Sequence, residues 1–215
     1  MNSVISMPVV GNDFAADTAA FSAYWRSAAE QLSRLPAKPE RDAAATGKAE
    51  AIKEAAREAR FGFLRRHAHT LYDRLTDGRR KFVRIERLVY DAADCVPGLV
   101  PTRAEVDAES ELRQSEKEGR EVDQGILCNQ FLANPECGMH LCHAMLLPRE
   151  ESTEALAKFL RDGRLDLGTA KVERRGKAAV LLLSNPRFLN SEDLSTQSAT
   201  EIGADVCTLD PNSEV

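Results

Sequence analysis

Residues 170–197 read AKVERRGKAAVLLLSNPRFLNSEDLSTQ. Thr169 to Arg174 has the length and alternation of a short extended segment, Gly176-Lys177 supplies a turn, and Ala178 to Leu183 is a continuous apolar run of strand length. Such a run is expected where a strand is covered on both faces. A polar loop, SNPRFLNSED, follows, and a helix-length segment from Leu194 to Leu209 ends at Asp210-Pro211. The last fifth of the chain therefore reads strand, strand, loop, helix.

Upstream the texture is helical from about residue 14 to residue 162, rich in alanine, glutamate and arginine, with apolar residues three or four apart. Ile52, Ala56, Ala59, Phe63, His67, Leu71 and Leu75 form one stripe on a long helix. Pro36 and Pro39 separate it from an earlier helix over 21–35, and Asp77-Gly78 closes it. A further helix is predicted over 81–93, carrying Phe82, Ile85, Leu88 and Val89. Thr102-Arg103-Ala104-Glu105 is a capping box, because hydroxyl and carboxylate can each satisfy the other's backbone N–H. Its charged continuation, EVDAESELRQSEKEGREVDQG, is predicted to be a solvated helix face, with a surface that covers a partner or a ligand as the alternative. A short helix over 153–161 should end at Gly163, where glycine can adopt the left-handed conformation.

The 215 residues, 43% of them hydrophobic, suffice for one large or two small domains with a real core. A net charge of −5 argues against a nucleic-acid binder, which would concentrate basic residues on one face. The opening MNSVISMPVV has no basic leader, and no run approaches a membrane span, so no membrane association is expected. Five cysteines without framework spacing suit a reducing interior, and the expected location is the cytoplasm.

Residues 128–148, CNQFLANPECGMHLCHAMLLP, gather Cys128, Cys137, His140, Cys142 and His143, residue types that ligate zinc. On a helix over 138–147, advancing about 100° per residue, Cys142 falls with Met139, Met145 and Leu146, roughly opposite His140. One ion could not take both, so no metal site is assigned. Cys142 is read as a small core residue and the histidines as surface or interface groups. A zinc site with Cys128 or Cys137 folded back, and a redox pair of Cys137 and Cys142, stand as alternatives.

Asn185-Pro186, three residues and Asn190, set after a strand hairpin and before a helix, resemble the opening unit of the crotonase superfamily. VPGLVPTRA at 96–104, KEGREVDQGILCNQFL at 117–132 and DLGTAKVERRG at 166–176 are similar to the helical domain and junction of the 3,5-dihydroxyphenylacetyl-CoA 1,2-dioxygenase family. The resemblance implies a mainly α N-terminal helical domain over 1–165 and the truncated start of an α/β crotonase-type ββα spiral over 166–215. It implies a dioxygenase with no metal or flavin cofactor, acting on an acyl-CoA and O₂: a base forms an enolate, backbone N–H groups hold its charge, and the aryl enolate reduces O₂ in a dry pocket.

By the same resemblance Arg187, Phe188, Leu189 and Asn190 would help seat coenzyme A, with Arg187 also available to a phosphate. A solvated loop arginine is the competing role. Glu192 would accept hydrogen bonds from substrate ring hydroxyls, or share a helix N-cap with Asp193. Ser191 departs from the usual alanine, and Gly203 weakens the final helix. The superfamily's oxyanion donors would lie beyond Val215, so no catalytic residue is assigned and the chain alone is expected to be inactive. Its expected partners are the remaining C-terminal core and further copies in a homo-oligomer. A non-catalytic helical interaction module, or remnant of such an enzyme, and a metal-binding sensor are the competing functions.

Overall fold

The computed structural model describes residues 6–192 and 194–214, without the side chain of Leu194. The chain forms two compact units that divide between Met145 and Leu146.

The first unit is helical. Helix α1 spans Phe14–Ser33, with the Asp13 carboxylate accepting from the N–H groups of Ala15 and Ala16 at 2.8 and 3.1 Å. A 3₁₀ turn at Lys38–Glu40 leads to α2, Ala43–Leu75, capped by Asp42. Helices α3 (Ile85–Cys95), α4 (Arg103–Ser110), α5 (Glu121–Ala133) and α6 (Pro135–Leu146) complete the set. The α2 stripe reads as expected: Ala56, Ala59, Phe63, His67 and Leu71 are buried, with Ile52 and Leu75 packed beside them. Phe21, Trp25 and Phe63 form the centre of the core, their ring centroids 5.5–5.8 Å apart, within the range of favourable aromatic pairs. The capping box at Thr102 and Glu105 is formed.

Two expectations for this unit are corrected. Phe82 precedes α3 instead of lying within it, and its ring stacks on His140 at 4.7 Å and 12°. The charged run after Thr102 is not one helix: α4 stops at Ser110, and residues 111–120 cross as irregular chain before α5 starts at Glu121. That segment has one large apolar residue, Leu112, so it has no apolar stripe to bury as a helix.

The second unit comprises α7 (Glu150–Asp162), β1 (Arg164–Asp166), β2 (Ala170–Arg175), β3 (Ala178–Leu183) and α8 (Leu194–Leu209). The strands form an antiparallel sheet in the order β1-β2-β3, with Val172 opposite both Leu165 and Leu181. The β2–β3–α8 order matches the strand-strand-helix reading, and β1 is an element that reading lacked. Gly163 ends α7 at φ +66°, and Gly176 makes the hairpin turn at φ +63°. Phe159, Leu165, Val172 and Val206 are the buried core, with Leu181 and Ile202 alongside. Helix α7 packs on α8 and β1, so it belongs to this unit with the sheet.

The AAVLLL run is covered on one face only. Leu181 faces α8, where an added Cβ on Gly203 would meet its Cδ1 at 2.5 Å, whereas Leu182 on the opposite face is 37% exposed; Leu183, at the strand end on the Leu181 side, is 44% exposed. Gly203 is thus a close-packing position between helix and sheet, and α8 runs unbroken through it. Within this sheet β3 is an edge strand.

Candidate functional site

The loop after β3 is tied by bonds between its two asparagines, and at its start the Ser184 N–H donates to the Thr169 carbonyl at 2.8 Å. Backbone N–H of Asn185 donates to Oδ1 of Asn190 at 2.6 Å, the Asn190 N–H returns a bond to the Asn185 carbonyl at 2.9 Å, and the Asn185 side chain reaches the Ser191 carbonyl at 3.2 Å. Pro186 opens a 3₁₀ turn over Pro186–Phe188, and Leu189 and Asn190 then take φ values of +54° and +59°. Asparagine tolerates that region, but for leucine it is strained. The Asn-Pro-x₃-Asn spacing is therefore what closes this loop: the two asparagines supply the bonds that hold its left-handed pair.

The loop displays its expected binding residues outward. Phe188 is 49% exposed and Leu189 94% exposed, while Arg187, Asn190 and Glu192 are also exposed. The Arg187 guanidinium lies 5.2 Å from the ring centroid of Phe188. Asn190 is committed to the loop's own backbone. Asp193, the other half of the expected N-cap, lies outside the described residues. Among the described residues of the loop, the geometry offers an apolar tip beside the Arg187 cation.

The cysteine and histidine stretch folds as α5, a short link and α6. Among the described residues no three His, Cys, Asp or Glu side chains converge as metal ligands. The reading of Cys142 as a core residue is overturned: it is exposed, and Cys137, Gly138, Leu141 and Ala144 form the buried face. Gly138 also packs against the end of α5, where an added Cβ would lie 2.6 Å from the Leu132 carbonyl oxygen. His140 is half-buried, its Nδ1 2.8 Å from the Tyr72 hydroxyl. Burial pushes the Tyr72 phenol up to about 12.

A charged cleft along α1 and α2 was missed in the sequence. Arg60 donates to the carbonyls of Leu99 and Gly98 at 2.7 and 3.0 Å and pairs with Asp123 at 3.3 Å, beside the indole of Trp25. Burial lowers the Arg60 pKa, and Asp123 works against that fall. The single tryptophan was the available signal, but its charged neighbours come from distant segments.

No protein-family model matches the chain. It is 41% identical over 182 residues to a protein from Amycolatopsis orientalis described as (3,5-dihydroxyphenyl)acetyl-CoA 1,2-dioxygenase. The match covers 85% of this chain and 42% of that relative, so the chain spans about two fifths of the relative's length.

Proposed function

We infer that this chain, which belongs to the (3,5-dihydroxyphenyl)acetyl-CoA 1,2-dioxygenase family over the residues it shares, is the N-terminal part of a cofactor-independent dioxygenase. The observation that carries this is the match across 85% of the chain, which takes in both helical and sheet units. The proposed substrate is an arylacetyl-CoA, (3,5-dihydroxyphenyl)acetyl-CoA by analogy with the relative. A base removes an α-proton, which the thioester acidifies, and the enolate passes electrons to O₂. The methylene carbon becomes a ketone, the thioester C–S bond breaks, and one O₂ yields one arylglyoxylic acid and one free coenzyme A. The two atoms of O₂ end in the ketone and the carboxylate, so no external reductant is needed. The product would serve as precursor of dihydroxyphenylglycine in glycopeptide antibiotic assembly.

The half-exposed Leu182 and Leu183 on an edge strand support a sheet that further strands extend and cover, since such an edge is a liability when bare. The partners of this reading are therefore the C-terminal core and further copies of the protein. In it, Arg187, Phe188 and Leu189 contact coenzyme A, and Glu192 meets the ring hydroxyls. The second reading, an interaction module without catalysis, is favoured by the outward display of those same residues.

Oxygen uptake separates the two. The chain is mixed with the remaining portion of the relative's sequence, supplied in trans, and given (3,5-dihydroxyphenyl)acetyl-CoA. One O₂ consumed per coenzyme A released is expected. A complex that forms but consumes no O₂ establishes the interaction module instead.

A further inference from the structure

Segment 111–120, ELRQSEKEGR, is fastened to the first unit almost wholly by charge and backbone hydrogen bonds. Just before it, the Glu109 carboxylate accepts from the N–H groups of Glu118 and Arg120 at 2.6 and 2.8 Å. Lys38 donates to the Lys117 carbonyl at 2.6 Å, and Arg57 to the Gly119 carbonyl at 3.2 Å. Arg41 and Lys53 both donate to the Glu118 carboxylate, at 2.5 and 3.2 Å. The side chains of these two cations are only 5% and 12% exposed. Lys53 has a second carboxylate in Glu50, itself largely exposed, at 2.6 Å.

Under this segment lies a cavity of about 100 Å³. Trp25, Leu32, Ile52 and Ala56 give it an apolar floor, and its wall is charged: Lys53 and Glu118 stand there with three arginines and Asp123, while Arg41 reaches Glu118 from outside the lining. An engineered apolar cavity of roughly 150 Å³ accepts benzene, so the space is near that of a small ring while the segment is in place.

We propose that this cavity binds an apolar molecule carrying one anionic group, that Glu118 holds the anion position in the free chain, and that segment 111–120 is the strap such a ligand displaces. Removing Glu118 without replacement would leave nearly desolvated cations short of a counter-charge, which is strongly unfavourable. A ligand that brings its own carboxylate, phosphate or sulfonate avoids that cost, and a neutral one does not. The strap has no apolar anchor to lose, because its one large apolar side chain, Leu112, is exposed, and the rest of what its displacement breaks is the set of hydrogen bonds to Glu109, Lys38 and Arg57. Burial pushes the Glu118 carboxyl up, but Arg41 and Lys53 outweigh it and hold the group below the ordinary glutamate range, so it is charged at neutral pH.

Trp25 is the single tryptophan, so its fluorescence reports on this cavity. The full chain is titrated with 4-phenylbutyrate and, separately, with its neutral counterpart 4-phenylbutanol. A saturable change with the acid, and a much weaker response to the alcohol, is expected. Glu118→Gln should tighten the acid about tenfold by removing its competitor. In that background Lys53→Met should lose the gain and Lys53→Arg should keep it. Equal responses to acid and alcohol in the unaltered chain overturn the proposal without recourse to any variant. So does a folded Glu118→Gln protein, verified by its circular dichroism, that binds the acid no more tightly.

Discussion

Nε2 of His67 lies 2.6 Å from Oδ2 of Asp17, with both side chains buried between α1 and α2. The same carboxylate oxygen accepts from the Gly11 N–H at 2.8 Å, and the His67 ring packs at 5.0 Å against Phe63. A position in an apolar helical stripe thus carries a polar contact that fastens the chain ahead of α1. His67→Leu would leave the carboxylate buried with Gly11 alone, and a loss of about 3 kcal/mol is expected for breaking a buried pair from one side. Urea unfolding followed by Trp25 fluorescence reads this in the first unit. Replacing both residues by leucine should recover most of the loss; a single substitution that costs nothing would show that the pair has no structural role.

Two buried glycines should respond differently to alanine. At Gly138 the new methyl would meet the Leu132 backbone, carbonyl oxygen at 2.6 Å and Cα at 3.2 Å, and a helix end cannot yield cheaply. Gly138→Ala is expected to cost about 1–3 kcal/mol through overpacking. At Gly203 the obstacle at 2.5 Å is the end of the Leu181 side chain, which can rotate, and alanine recovers about 1 kcal/mol of helix propensity. Gly203→Ala should therefore lie near neutral. Circular dichroism melts of the two variants check the order, and a larger loss at Gly203 would contradict it.

The elements legible in the sequence are those with a short-range cause. The α2 stripe, the Thr102 capping box, the Gly163 stop and the two strands around Gly176 all follow from spacing or turn chemistry. Segment 111–120 was illegible because its conformation depends on Glu118 meeting Arg41, 77 positions away. Strand β1 is three residues, RLD, too short for alternation to show. Helix α6 has apolar residues on two faces, so periodicity could not choose between Cys137 and Cys142, and tertiary packing buries the Cys137 face. In the candidate loop the spacing of Asn185 and Asn190 was visible, but its role in closing the loop needed the hydrogen bonds.

Acid should loosen the second unit through Asp210. Burial pushes its carboxyl up, but Ser213, Arg174 and the Asn212 N–H outweigh it and hold the group below the 3.8 of an ordinary aspartate. A depressed value in the folded chain means that the ionised group stabilises the fold above that pH, and that this stabilisation is lost as pH falls through the lower folded value. Asp210→Asn removes the ion pair with Arg174, seen at 2.8 Å. The variant is expected to melt below the parent at pH 7, with the gap closing below pH 3.8. A gap that stays constant on acidification would mean that the Asp210 charge contributes nothing to stability.

Thiol labelling distinguishes the two possible faces of α6. Burial, with the Asp73 carboxylate adding to it, pushes the Cys137 thiol up to about 11. Since the thiolate is the reactive form, only roughly one part in several thousand of such a thiol is reactive at pH 7.5, and the side chain is shielded as well. Cys142 is exposed on the opposite side of the helix. Brief iodoacetamide treatment of the folded chain, followed by peptide mass mapping, should therefore modify Cys142 well before Cys137, with the difference vanishing in urea. Labelling of Cys137 ahead of Cys142 would instead place the Met139, Cys142 and Leu146 face against the core, the packing that periodicity alone suggests.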